Sequence, residues 1–234
     1  MRSKFRLKPC ISASVIALFG LCSEALGQQS LFNVPSSDIT AKGEWFFQEQ
    51  VNFNSSGISN TTFDYGLGNN FEVGFNLFAV DFYHPRGESI DPEPLINLQK
   101  RFDITESWGI GLGTQLGAVV PVRHETTSFS TFNYVNNQVK LGSFGKAFGG
   151  GYYANDAYTG SKDQFGFMLG VEIPVWEEKL HFMADYIQSS TDIGVGVIGW
   201  VIFLPHRWNF SIGAQVPAIN SDNEYGLVLE FTRL

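Results

Sequence analysis

From Gln164 to Ile173 the chain alternates strictly. Phe165, Phe167, Leu169, Val171 and Ile173 fall on one face, and Gln164, Gly166, Met168, Gly170 and Glu172 on the other. Such period-two alternation marks a strand with two unlike faces. It recurs where Trp208, Phe210, Ile212, Ala214 and Val216 oppose Asn209, Ser211, Gly213 and Gln215. It recurs again where Tyr225, Leu227, Leu229 and Phe231 oppose Glu224, Gly226, Val228 and Glu230. Trp108, Ile110, Leu112 and Leu116 likewise face away from Gly109, Gly111, Gly113, Gln115 and Gly117. The wide face is aromatic and aliphatic; the narrow face is glycine and polar. A soluble sandwich or lipocalin-like barrel puts its bulk inside, whereas lipid outside and a polar lumen reverse that order.

The pattern predicts an all-β chain, a transmembrane up-and-down antiparallel β-barrel of about 12 strands (10–12). Candidate strands cover 43–53, 62–68, 71–80, 94–103, 108–119, 129–136, 138–148, 164–173, 179–188, 193–204, 207–216 and 224–232. Many approach the roughly 9 to 11 residues that a tilted membrane strand needs. Alternation breaks repeatedly between Phe129 and Gly151, so no register is predicted there. Short connections are expected at 68–70, 105–107, 136–137, 174–178 and 205–206, and longer ones at 54–61, 81–93, 120–128, 149–163 and 217–223. Apart from 189–192, short and long alternate, as periplasmic turns and outer loops do in outer-membrane barrels. Trp45, Trp108, Trp176 and Trp208 all fall at the predicted short-turn end, where an aromatic girdle would sit at headgroup level. Two outward charges fit badly. Glu49 suggests a bulge or a register shift, and Lys100 is placed to snorkel toward the periplasmic end.

Ahead of the strands, Arg2, Lys4, Arg6 and Lys8 precede an apolar run from Ile11 to Leu21 and the small-residue site Ala25-Leu26-Gly27. This is the layout of a cleaved signal peptide over 1–27. A periplasmic N-terminal segment over 28–42 and a barrel over 43–234 are then expected. Both cysteines, Cys10 and Cys22, fall in the signal segment, so disulfides and thiol chemistry are not expected of the exported chain. Its charge, already −8 for the full sequence, becomes more acidic once those four bases go, which argues against nucleic-acid binding.

The C-terminal stretch Glu224-Tyr225-Gly226-Leu227-Val228-Leu229-Glu230-Phe231 resembles the assembly signal of Gram-negative outer-membrane β-barrels, here followed by Thr232-Arg233-Leu234. Glu224, Gly226, Leu229 and Phe231 carry that resemblance. It implies the outer membrane as location, the lipid bilayer as surroundings and the barrel assembly machinery as a transient partner. The phrases Tyr65-Gly66-Leu67-Gly68-Asn69-Asn70-Phe71-Glu72-Val73-Gly74 and Phe210-Ser211-Ile212-Gly213-Ala214-Gln215-Val216-Pro217 are similar to those of small transporter-like barrels, including the set linked to aromatic-compound degradation operons.

Candidate chemistry is sparse. Gly111-Leu112-Gly113-Thr114-Gln115-Leu116-Gly117 lacks the strand-then-helix context of a phosphate-binding loop and reads better as inward glycines. His84, His124, His181 and His206 have no partner at a catalytic spacing, and there is no nucleophile elbow. Asp81 and Asp91-Pro92-Glu93-Pro94 could bind a cation, or simply form a stiff loop. No cofactor is expected.

The polar set predicted to line the lumen is Glu72, Asn76, Gln99, Arg101, Asp103, Gln115, Glu172, His181, Asp185, Gln215 and Glu230. Its acids outnumber its bases, which favours cations or neutral solutes in a water-filled lumen. In a packed lumen, Arg101 is expected to pair with Asp185, Glu172 or Glu230. A passive solute channel is the leading expectation. A plugged structural or surface-interaction barrel is the second, and a lipid-modifying enzyme the third.

Overall fold

A computed structural model of the chain describes residues 30–83, 91–122, 126–160, 163–176 and 179–234. The expected signal peptide, His84 and His124 lie outside the described residues. Twelve strands follow one another: β1 (Trp45–Phe53), β2 (Gly57–Gly68), β3 (Phe71–Tyr83), β4 (Glu93–Asp103), β5 (Trp108–Val119) and β6 (Ser128–Lys140), then β7 (Lys146–Ala154), β8 (Phe165–Trp176), β9 (Leu180–Ile187), β10 (Val195–Leu204), β11 (Trp208–Pro217) and β12 (Gly226–Arg233). Each pairs with its sequence neighbours, and β12 returns antiparallel to β1, from Phe47↔Arg233 to Phe53↔Leu227. The barrel is closed, with no free edge.

Alternation sets what faces where. In β8, Phe165, Phe167, Leu169 and Ile173 stand exposed on the outer wall while Met168 and Glu172 are buried inside. In β12, Leu227 and Phe231 point out and Val228, Glu230 and Thr232 point in. Glycines on the inner face of β5 make room for larger neighbours. A Cβ on Gly113 would lie 2.1 Å from the Tyr134 ring, and one on Gly111 2.3 Å from Asn136 Oδ1.

The hairpin between β6 and β7 corrects one expectation. Asn136-Asn137, a pair typical of turns, lies well inside β6, and the turn falls at 141–145. There Gly142 and Gly145 supply φ of 63° and 107°, and Leu141 N–H bonds Gly145 O at 2.8 Å. Asn136 is held in the strand because its side chain has work inside the barrel. Several loops are also shorter than predicted: β2 starts at Gly57, β3 runs to Tyr83, β7 to Ala154, and β8 passes Pro174 to reach Trp176. Pro174 offers no N–H, and the β8–β9 register slips between it and Trp176.

Glu49 needs neither a bulge nor a shift in its own strand. β1 pairs regularly on both sides, and the outward carboxylate accepts hydrogen bonds from Ser59 Oγ and, at 2.6 Å, Thr61 Oγ1. The irregularity lies one strand further on, between Ser59 and Thr61 in the β2–β3 pairing. Lys100 reaches the turn at the end of β2, where its Nζ donates to Asn69 O.

One close contact within the wall is Gly199 opposite Gly213. A Cβ on Gly199 would lie 2.1 Å from Ile212 O and 2.5 Å from Gly213 Cα, both backbone atoms that cannot step aside. Gly199→Val should therefore destabilise the barrel by about 1–3 kcal/mol. The fraction of heat-modifiable, fast-migrating protein against urea concentration checks this.

Candidate functional site: the lumen

The stretch expected as a periplasmic lead-in, 28–42, is placed differently: its described residues, 30–42, run through the lumen. A tight turn begins it, with Leu31 N–H bonding Val34 O at 2.9 Å and Ser30 bridging Pro35. Leu31, Phe32 and Val34 are each 1% exposed and join a cluster with Met168, Met183, Val197, Val201 and Val228 from the inner wall. Glycine creates their seats, since a Cβ on Gly170 would meet Leu31 at 2.1 Å and one on Gly213 would meet the Phe32 ring at 2.9 Å. Asp185 accepts the N–H of Asn33 at 2.5 Å and of Val34 at 3.0 Å.

The segment then crosses to the opposite, polar flank. Asn136 Nδ2 donates to Pro35 O at 2.7 Å and Ser36 O at 2.9 Å, and Gln99 Nε2 to Ser36 O at 3.0 Å. Asp38 is gripped by Arg101 Nη1 at 2.8 Å, Lys146 Nζ at 2.9 Å and Gln138 Nε2 at 2.8 Å. Thr40 donates its N–H and hydroxyl to Glu72 Oε2 at 2.8 and 2.9 Å. A parallel bridge of Lys42 to Gly66 leads to Gly43 and into β1.

Glu72, Asn76, Gln99, Arg101, Gln115, Glu172, His181, Asp185, Gln215 and Glu230 all turn toward this interior, whereas Asp103 is half-exposed at the end of β4. The expected partners of Arg101 are corrected. It binds Asp38 and Asp103, not Asp185, Glu172 or Glu230, because the luminal segment supplies a nearer carboxylate and engages Asp185 Oδ2 with backbone N–H groups. Glu172 faces His181 Nδ1 at 2.6 Å and Lys146 at 3.8 Å, and Glu230 accepts from Gln48 at 2.9 Å. Gln215 donates to Asn223 Oδ1 at 2.7 Å, and Tyr158 OH reaches Gln115 at 3.5 Å. His206 sits in the β10–β11 turn at φ 64°.

Above the segment, toward the long loops, lies a cavity of about 530 Å³. Asp64, Glu72, Glu93, Asp192, Asp222 and Glu224 line it, together with many Asn and Gln side chains and, among the described residues, no Lys or Arg. The inward bases Arg101 and Lys146 stand instead near the short-turn ends of β4 and β7, against Asp38. At the mouth, burial raises the Asp192 carboxyl above its ordinary value, while hydrogen bonds from Ser55 lower that of Glu224. Glu93 turns inward to take a hydrogen bond from Ser130, so the acids of 91–94 do not converge. Among the described residues no group of three or more His, Cys, Asp or Glu side chains is placed to hold a metal ion.

Trp45, Trp108, Trp176 and Trp208 lie at one end of the barrel, that of the short turns. Arg233 stacks 3.7 Å over the Trp45 ring, Lys179 5.2 Å over Trp176, and Trp208 lies parallel to Phe231 at 4.5 Å. Trp200 stands apart, edge-on to Phe182 in β9. Of the C-terminal set, Glu224 lies at the loop end. Gly226 opens β12, packed beside Phe53 O, and Leu229 and Phe231 look outward.

The sequence pattern did not point to Asp38, Asp64, Gln138 and Lys146, and it placed Glu93 and Asn136 in a loop and a turn rather than in the lumen. Asn136, Gln138 and Lys146 fall where alternation fails, and Asp38 precedes every strand. Glu72→Gln should weaken the two bonds from Thr40 by about 1–3 kcal/mol. Faster limited proteolysis within 30–42, with the barrel itself intact, would show it.

No protein-family model matches the chain, and no curated protein matches it in sequence. Its fold does match solved structures. A KdgM porin superposes with a TM-score of 0.59 at 6% identity, over 81% of this chain and 98% of that one. A KdgM porin in complex with disordered oligogalacturonate gives 0.56 at 6% identity over the same shares. In fold, then, the chain is a closed twelve-stranded antiparallel β-barrel similar to that of KdgM porins.

Proposed function

We propose that the protein is a passive outer-membrane channel of a Gram-negative bacterium for small solutes, favouring cations or neutral molecules over anions. The observation that carries this reading is the cavity that, among the described residues, is lined by six acids and no Lys or Arg. Rings of acid set a local field that concentrates cations and repels anions. The solute named with the KdgM complex, oligogalacturonate, is a polyanion, and this lining does not suit it. A twelve-stranded barrel lies between small barrels filled by side chains and wide porins, consistent with a narrow path.

The apolar outer wall and the tryptophan-bearing end support placement in a bilayer, with the short turns in the periplasm. In this reading the barrel assembly machinery reads β12, through Glu224, Gly226, Leu229 and Phe231. Catalysis forms no part of it: His181 is packed between Glu172 and the Phe203 ring. A second reading, a plugged barrel acting through its outer loops, is favoured by the luminal segment 30–42.

Planar-bilayer recording under a KCl gradient separates the two. The channel reading expects discrete steps with a cation-selective reversal potential, moved toward zero in Asp64→Asn/Glu93→Gln. A correctly inserted, heat-modifiable barrel that stays silent would leave the plugged reading in place.

A further inference from the structure

We propose that residues 30–42 are a tethered plug that leaves and re-enters the lumen about Gly43, with Asp38 as its latch. Only the consequence for conduction rests on the channel reading.

The segment is bound in a different way from the wall. Every wall strand is hydrogen-bonded along both edges, whereas 30–42 has two isolated bridges, Ser30 to Pro35 within itself and Lys42 to Gly66 next to the tether. Apart from local bonds such as Leu31 N–H to Val34 O and Asp38 N–H to Ser36 Oγ, its polar bonds from 30 to 40 run to wall side chains, which can be exchanged for luminal water without breaking a ladder. One end is fixed, since Gly43 and Glu44 hold the chain to Gly66 just before β1. Gly43 has φ 80°, a conformation natural to glycine, and nothing stands within 4 Å of where a Cβ would be. That is a hinge with clear space.

The wall can accept the departure. Asp38 is the one acid between residues 30 and 42. When it leaves, Arg101 keeps Asp103 at 2.6 Å and Lys146 keeps Glu172 at 3.8 Å, so neither cation is left alone. The docked state is held by the burial of Leu31, Phe32 and Val34, by the hydrogen bonds with Asp185, Glu72, Asn136 and Gln99, and by the three donors on Asp38, its one ionic contact among the described residues. The docked form is therefore the resting one, and weakening the latch shifts the population outward.

The test uses the full mature barrel with Cys10 and Cys22 absent or replaced by serine, reconstituted in vesicles. Ser37 is fully buried in the docked state, so Ser37→Cys should react with a water-soluble methanethiosulfonate far more slowly than Ser55→Cys at the exposed loop end. Adding Asp38→Ala should speed labelling at position 37 by about tenfold or more while heat-modifiable migration persists. No labelling at position 37, or equal rates with and without Asp38→Ala, would overturn the proposal.

A second variant reads conduction. The Ser37 Cβ lies 3.1 Å from where a Cβ on Gly111 would be, and that Cβ would also meet Asn136 Oδ1 at 2.3 Å, so Ser37→Cys/Gly111→Cys should form a disulfide once the Asn136 side chain turns aside and the two Cβ atoms separate by a few tenths of an ångström. Oxidised, this pair should hold the path shut; reduced, it should conduct. Equal currents in both states would refute gating by the plug. If position 37 is labelled but neither state conducts, the plug moves and the channel reading is what fails.

Discussion

The wall of this protein satisfies its own backbone because β12 returns to β1. An unpaired N–H or C=O in a hydrocarbon phase costs several kcal/mol, so a sheet that crosses it must close. Closure also divides every strand into an outer and an inner face, and the alternation then assigns side chains to each. The outer face has little choice beyond apolar groups. The inner face is free to vary, and two unlike flanks are built there. Met168, Met183, Val197, Val201 and Val228 make one apolar. Gln99, Arg101, Asn136 and Gln138 make the other polar.

Residues 30–42 match those flanks in order. The apolar turn Leu31 to Val34 lies on the first flank, and Ser36, Ser37 and Asp38 lie on the second. The same segment separates the lumen electrically. Arg101 and Lys146 are neutralised by carboxylates near the short-turn end, while Glu93, Asp192, Asp222 and Glu224 stand toward the loops, and among the described residues no Lys or Arg lines the cavity. A proposed solute arriving from the loop side meets an acidic, amide-rich vestibule first and the plug second.

Most of the wall was legible in the sequence because lipid-type and lumen-type faces differ so sharply at Phe165 to Ile173 and Trp208 to Val216. Strand number and order followed from the turns. The β6–β7 hairpin was not legible, because Asn136 and Asn137 look like a turn until the partner of Asn136 is known, and that partner is a luminal backbone distant in sequence. For the same reason the pairing of Arg101 could not be guessed. Asp38 lies in a stretch with no strand periodicity, and nothing local shows that its neighbours Leu31, Phe32 and Val34 have glycine-made seats in the wall. Inward residues could be named from alternation alone, but their partners depended on a segment that alternation does not describe.

The most direct test of a lumen occupied by the chain's own residues 30–42 is amide hydrogen exchange on the detergent-folded mature protein. The N–H groups of Asn33, Val34 and Thr40, bonded to Asp185 and Glu72, should exchange well below the free-coil rate yet faster than the amides of β10 and β11. Exchange of all three at the free-coil rate, beside a fully protected wall, would contradict it.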